Sequence, residues 1–173
     1  CSNLQTGQAE YVKCAKMDNT GLAYLRASAS MPFVSRISEI GGKKYLDGGI
    51  CDSIPLHAFQ KMGYERCVVV QTRAAGYQKK PNKLGWLAPL VYRKYPKFAA
   101  AIKNRHIMYN NELEQIEQAQ KNGAAFVIRP SKNVKIHHME TDKKVLQAVY
   151  DFGRGDAIKL LPELKKFLKE AKK

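Results

Sequence analysis

The feature that most restricts the fold is a helix that leads at once into a buried strand. Ser53 precedes Ile54-Pro55, a helix start, and Gly63 suits the residue just past the helix end. Cys67-Val68-Val69-Val70 then runs apolar without a break. A strand apolar on both faces belongs in a covered, parallel sheet, and a helix feeding it points to an α/β architecture. Ala125 to Arg129 has the same texture and reads as a second buried strand.

The rest of the chain is read around that unit. Cys1 to Leu4, a Thr6-Gly7 turn and Ala9 to Cys14 have the pattern of a hairpin, and Gly21 to Ala29 that of a helix ending before Pro32. Ile37 to Ile40 and Lys43 to Leu46 flank Gly41-Gly42, a two-residue turn that needs positive φ; in that register Glu39 faces Lys44. Ala74 to Pro89 is a connection with a short helix near Trp86. Tyr95, Phe98, Ile102, His106, Tyr109, Leu113 and Ile116 recur every three or four residues, the stripe of a long helix that Gly123 closes. Two more helices are expected. One runs from Asp142 to Phe152 and stops at Gly153; the other is capped by Asp156 and carries Pro162.

Composition narrows the function classes. At 173 residues with 45% apolar content the chain can bury a core and is not a disordered tail. No apolar run approaches the ~18 residues of a membrane span, and the N-terminus does not read as a signal peptide. Cys1, Cys14, Cys51 and Cys67 show no CxxC spacing, so they read as reduced, mostly buried thiols of a cytoplasmic protein. The net charge of +15 calls for an anionic partner without naming it. Much of it falls in an acid-free stretch between Glu65 and Glu112 that carries ten Lys and Arg residues. A solvated basic face is the first reading of that stretch. The second is peripheral contact with an anionic membrane through Lys79, Lys80, Lys83, Trp86, Arg93 and Lys94, since cations attract headgroups and Trp settles at the interface. Nucleic acid ranks third, for want of any recognition motif.

The sharpest local motif is Asp47-Gly48-Gly49, a carboxylate at the end of a hairpin strand followed by two glycines. Either it is a loop turn, or it is a base on a rigid strand end with room for another group to approach. Other candidates are weaker. His137-His138 with Glu140 would point to opposite faces of a strand, so neither a metal nor another cofactor is expected. Asp52 belongs to the turn ahead of the helix, and His106 reads as a hydrogen-bonded core histidine. Gly153-Arg154-Gly155 is helix punctuation before it is an anion site.

Ala27-Ser28-Ala29-Ser30-Met31-Pro32, the Gly41-Gly42 hairpin, Asp47-Gly48-Gly49 and Ile54-Pro55-Leu56, in this order, resemble the C-terminal half of a patatin-like phospholipase. Ser2-Asn3-Leu4-Gln5-Thr6-Gly7 is similar to a hairpin of the same family, and the resemblance covers residues 1–73. Asn104 to Asn110, Val127 to Ser131 and Asp151 to Asp156 resemble the helical extension of a bacterial patatin subgroup. The resemblance implies the C-terminal part of a three-layer α/β/α fold over residues 1–73, with a mostly helical extension over residues 74–173. It implies a Ser-Asp dyad with Asp47 as base, Gly48, Gly49, Ser30, Met31 and Pro32 lining the active-site loop, and a lipid acyl ester as substrate. The same resemblance demands a G-x-S-x-G serine and a Gly-rich oxyanion loop, and neither occurs in the chain. The expectation is therefore a fragment, inactive by itself, whose exposed sheet edge favours homo-oligomers. The rival expectation is a non-catalytic basic module that binds anionic lipid or nucleic acid.

Overall fold

The computed structural model describes residues 1–136 and 140–170, so the His137-His138 pair lies outside the described residues. Helices and strands are mixed along the chain, as an α/β fold requires. The chain packs as two compact units. One combines Cys1–Pro55 with Lys79–Leu113; the other combines Leu56–Gln78 with the chain from Glu114 on.

The first unit is built on a four-stranded antiparallel sheet of order β2-β1-β4-β3, from β1 (Ser2–Asn3), β2 (Gln8–Ala9), β3 (Ser38–Ile40) and β4 (Lys43–Leu46). The first hairpin is shorter than its sequence pattern suggests. Asn3 turns its side chain inward and takes the amides of Gln5 (2.8 Å) and Thr6 (3.1 Å), which closes the turn early, and the residues after Glu10 leave the sheet. The second hairpin follows the expected register, with Glu39 opposite Lys44. Gly41 and Gly42 both have positive φ (58° and 74°), the backbone a two-residue hairpin turn demands. Between the hairpins, α1 (Asn19–Ser28) is capped by Asp18, whose carboxylate accepts from the amides of Thr20 and Gly21.

The core of this unit joins sheet residues to residues far along the chain. Leu4, Leu46 and Ile50 pack with Ala88 of α3 (Ala88–Val91), with Tyr92, and with Phe98, Ala99 and Ile102 of α4 (Pro96–Lys121). Each large apolar side chain so buried contributes about 1.5–3 kcal/mol. Gly7 lets the first turn lie against α4: a Cβ there would stand 2.7 Å from the Lys97 backbone, and its φ is +67°. His106, on the helical stripe, is half-buried, but its Nδ1 is shut from solvent and has no hydrogen-bond partner among the described residues, contrary to the hydrogen-bonded role expected of it.

The second unit holds α2 (Leu56–Lys61), β5 (Cys67–Val70), the end of α4, β6 (Ala125–Ile128) and α5 (Lys143–Glu170). β5 and β6 are parallel, as expected, but β5 is not covered on both faces. Val69 is buried, whereas Val68 is 40% and Val70 69% exposed; these two share the opposite face of the strand, which the described residues leave largely uncovered. One helix stands where two were expected: α5 runs unbroken through Gly153, Gly155 and Pro162. Asp156 does not cap it. Its buried carboxylate accepts from the Ser131 amide (2.8 Å), with Lys159 3.9 Å away, so its purpose is to tie the loop after β6 to the helix. Gly153-Arg154-Gly155 is accordingly helix interior and presents no helix N-terminus to an anion. The cysteines are all free thiols, but none is fully buried and Cys14 is exposed.

Candidate active site

The site begins with what pins β4. The Tyr45 hydroxyl, buried under the sheet, donates to Glu10 Oε2 (2.6 Å), and Asn3 Nδ2 donates to Glu10 Oε1 (2.7 Å). Lys43 adds an ion pair to the same carboxylate at 3.2 Å. The Tyr45 bond, foremost, holds the Glu10 carboxyl below its ordinary range, while burial and Glu10 push the Tyr45 phenol up. The strand thus delivers Asp47 from a fixed base.

Asp47 is half-buried and opens a single 3₁₀ turn, Gly48–Ile50. Its amide donates to the Ser30 carbonyl (2.8 Å), and its own carbonyl accepts from the Ser2 hydroxyl (2.7 Å). One carboxylate oxygen, Oδ1, accepts from the Gly49 amide at 2.7 Å; among the described residues no further donor reaches the carboxylate. Gly48 is needed for space, since a Cβ there would stand 3.2 Å from the Cys1 nitrogen. At Gly49 a Cβ would stand 3.1 Å from Asp47 Oδ1 and 3.4 Å from Arg105 Nη2. The Ser30-Met31-Pro32 segment is therefore joined to Asp47 through one backbone bond, with Ser30 buried and Met31 exposed. Phe33 follows with a positive φ of 68°, its amide held by the Tyr92 hydroxyl (2.9 Å).

Downstream, the loop is held by residues that the sequence pattern did not single out as site residues. Arg105 Nε donates to the Gly49 carbonyl (2.6 Å), which also accepts from the Ser53 hydroxyl (2.6 Å). Glu112 takes the amides of Ser53 (3.0 Å) and Ile54 (3.1 Å) with its two oxygens. Asp52 lies beside Glu112 and accepts from the Tyr11 hydroxyl. Burial first, then the Asp52 carboxyl, raises Glu112 well above the ordinary carboxylate range. Burial and Asp52 likewise raise the Tyr11 phenol, and burial raises the Cys51 thiol. One signal could have exposed Arg105 and Glu112: they follow Phe98 at seven and fourteen residues, charged positions on a helix face otherwise buried.

The basic segment is laid out differently. Gly85, Ala88 and Tyr92 are buried and face the core, which turns Trp86 (68% exposed) and Leu90 (67%) outward. Lys83 and Arg93 lie in the turns on either side, and both are exposed, as are Lys80 and Lys94. Lys79 is engaged elsewhere, its ammonium 4.8 Å from the Tyr109 ring. No described helix is long and apolar enough to cross a membrane, and no cluster of metal-binding side chains occurs among the described residues.

Comparison with curated proteins gave no match. Residues 95–169 match a family described as Domain of unknown function (DUF6363). Residues 6–59, from the turn at Gly7 through the Asp47 loop, match the Patatin-like phospholipase family, which ties that segment to a family of lipid hydrolases.

Proposed function

We propose that these residues are the base-bearing part of a patatin-like acyl hydrolase, the C-terminal part of its three-layer α/β/α domain over residues 1–73 followed by a mostly helical extension over residues 74–173. The observation that carries the reading is the state of Asp47: one oxygen oriented by the Gly49 amide, no described donor on the other, on a strand end inside the matched segment. That division follows sequence resemblance, and the two matches, ending at 59 and starting at 95, support it. The compact units follow packing and cut the chain elsewhere.

In this reading a serine from polypeptide outside the 173 residues attacks the acyl carbonyl while Asp47 takes its proton. The carbon–oxygen bond to the leaving alcohol breaks, the proton passes to that alcohol, and water then releases the acyl group with Asp47 again as base. Gly48 and Gly49 keep the approach open, and Ser30, Met31 and Pro32 form the neighbouring wall. The 173 residues hold no G-x-S-x-G serine and no Gly-rich oxyanion loop, so in this reading they do not turn over alone. In the intact polypeptide Asp47→Asn abolishes cleavage of short acyl esters; unchanged turnover in that variant sinks the assignment and favours a non-catalytic module.

The exposed Trp86 and Leu90, with exposed Lys83 and Arg93 in the turns on either side, support a second element, peripheral contact of a cytoplasmic enzyme with anionic lipid: apolar side chains flanked in sequence by cations suit a headgroup surface. Co-sedimentation with anionic vesicles, set against a duplex-DNA shift at the same salt, separates lipid from nucleic acid. The exposed Val68 and Val70 support self-association, which sedimentation of the purified chain tests.

A further inference from the structure

α4 begins the segment that matches the family of unknown function, yet two of its side chains end on the Asp47 loop. Gly48 and Gly49 leave the backbone of that loop few steric limits of its own, so its geometry is imposed from outside. Upstream, Ser2 and Ser30 do this through the Asp47 and Gly48 backbone. Downstream, α4 does it. Arg105 and Glu112 are seven residues apart, two turns on one face, and reach the Gly49 carbonyl and the Ser53 and Ile54 amides.

We infer that Arg105 and Glu112 are positioning residues for the Asp47 carboxylate, and that the leading helix of the unknown-function segment braces the base. The inference rests on reading Asp47 as that base. Its logic is a short chain of contacts. Arg105 fixes the Gly49 peptide at its carbonyl, the Gly49 amide holds Asp47 Oδ1, and so the guanidinium sets the carboxylate's direction without touching it. Glu112 stops the far end of the loop from sliding, because a carboxylate that accepts two consecutive amides fixes both peptides at once. Both groups are half-buried, and removing the guanidinium leaves the Gly49 carbonyl with the Ser53 hydroxyl alone. The titratable groups around Glu112 are Asp52, beside it, with Tyr11 on Asp52 and the Cys51 thiol next to Tyr11. The charged residue of its own helix that reaches the loop is Arg105.

The test has two arms. In the 173-residue chain, amide hydrogen exchange is compared in wild type, Arg105→Ala and Arg105→Lys. Arg105→Ala is expected to lower protection at Gly49 about tenfold, one lost hydrogen bond, while the Ala99 and Ile102 amides keep theirs. Equal loss at Gly49 and in the core, or no loss at Gly49, overturns the brace. Glu112→Ala is expected to lower protection at the Ser53 and Ile54 amides, which lose their acceptors; unchanged protection at both overturns the role of Glu112. In the intact polypeptide, Arg105→Ala is expected to lower kcat roughly 10²-fold with KM little changed, the cost of a misdirected base, and Arg105→Lys to restore part of it. A loosened loop with full kcat overturns positioning. Unchanged turnover in Asp47→Asn refutes the base instead, and leaves the exchange result standing, so the two failures are distinguishable.

Discussion

The Asp47 loop and the Lys83–Arg93 segment lie in the same compact unit, yet they are shaped by opposite means. Around the loop the amides of Asp47, Ser53 and Ile54 and the carbonyls of Asp47, Gly48 and Gly49 are held, by Ser2, Ser30, Ser53, Arg105 and Glu112. Along the basic segment the inward face is spent on the core through Gly85, Ala88 and Tyr92, and the outward face is left bare. Chemistry on a substrate needs one carboxylate in one direction, and that is secured by many internal bonds. Contact with a surface needs area and charge, which are secured by what is left uncovered.

The largest expected effect tests whether both regions depend on one core. Phe98 is fully buried among Leu4, Leu46, Ile50, Tyr92 and Ile102, with the Tyr92 ring 5.1 Å away. Phe98→Ala should cost about 3–5 kcal/mol in urea unfolding. A loss under 1 kcal/mol would mean that sheet and α4 do not share a core. Gly7→Ala comes next. The new Cβ meets the Lys97 backbone and the residue keeps a left-handed φ, so about 2–4 kcal/mol is expected from overpacking and strain together. Stability equal to wild type would show that the turn does not press on α4.

What the sequence made legible, and what it hid, follows the same division between local and distant. Gly41-Gly42 and Glu39 opposite Lys44 were readable because turn chemistry sets hairpin register within a few residues. Asp47-Gly48-Gly49 stood out for the same local reason. Arg105 and Glu112 did not, because what marks them is contact with Gly49, Ser53 and Ile54 more than fifty residues away, which no local pattern encodes. The misread helix is instructive. Gly153 and Asp156 look like a stop and a cap, but Asp156 is bonded to Ser131, and that tertiary bond lets one helix run through both. Four apolar residues in a row fit a central, covered strand, but the exposure of β5 depends on neighbours that the run itself does not specify.

A smaller effect on stability separates the bare stripe from the braced loop. Trp86→Ser with Leu90→Ser removes exposed apolar area only, so unfolding should move by no more than about 0.5 kcal/mol. Partition onto anionic vesicles should fall at least tenfold, and binding by the wild type should weaken steeply with salt. Unchanged partition would shift the lipid contact to other cations; a large loss of stability would place Trp86 in the core.

The smallest effect belongs to the brace, and its sign is fixed by linkage. Glu112 is raised in the folded chain from 4.5 to about 7, so between those values the folded state holds more protons than the unfolded one. Stability must then fall as pH rises through that window, the reverse of an ordinary salt-bridged carboxylate. The group is only partly buried, so solvent screening keeps the change modest. Urea midpoints of wild type and Glu112→Gln, measured from pH 4.5 to 8, should therefore diverge: the wild type loses ground on the variant as pH rises, because Gln carries no charge to desolvate beside Asp52. A wild type that gains on the variant over this range would mean that the ionised Glu112 is favoured by the Ser53 and Ile54 amides more than it is opposed by burial and Asp52, and the brace would then tighten, not loosen, with ionisation.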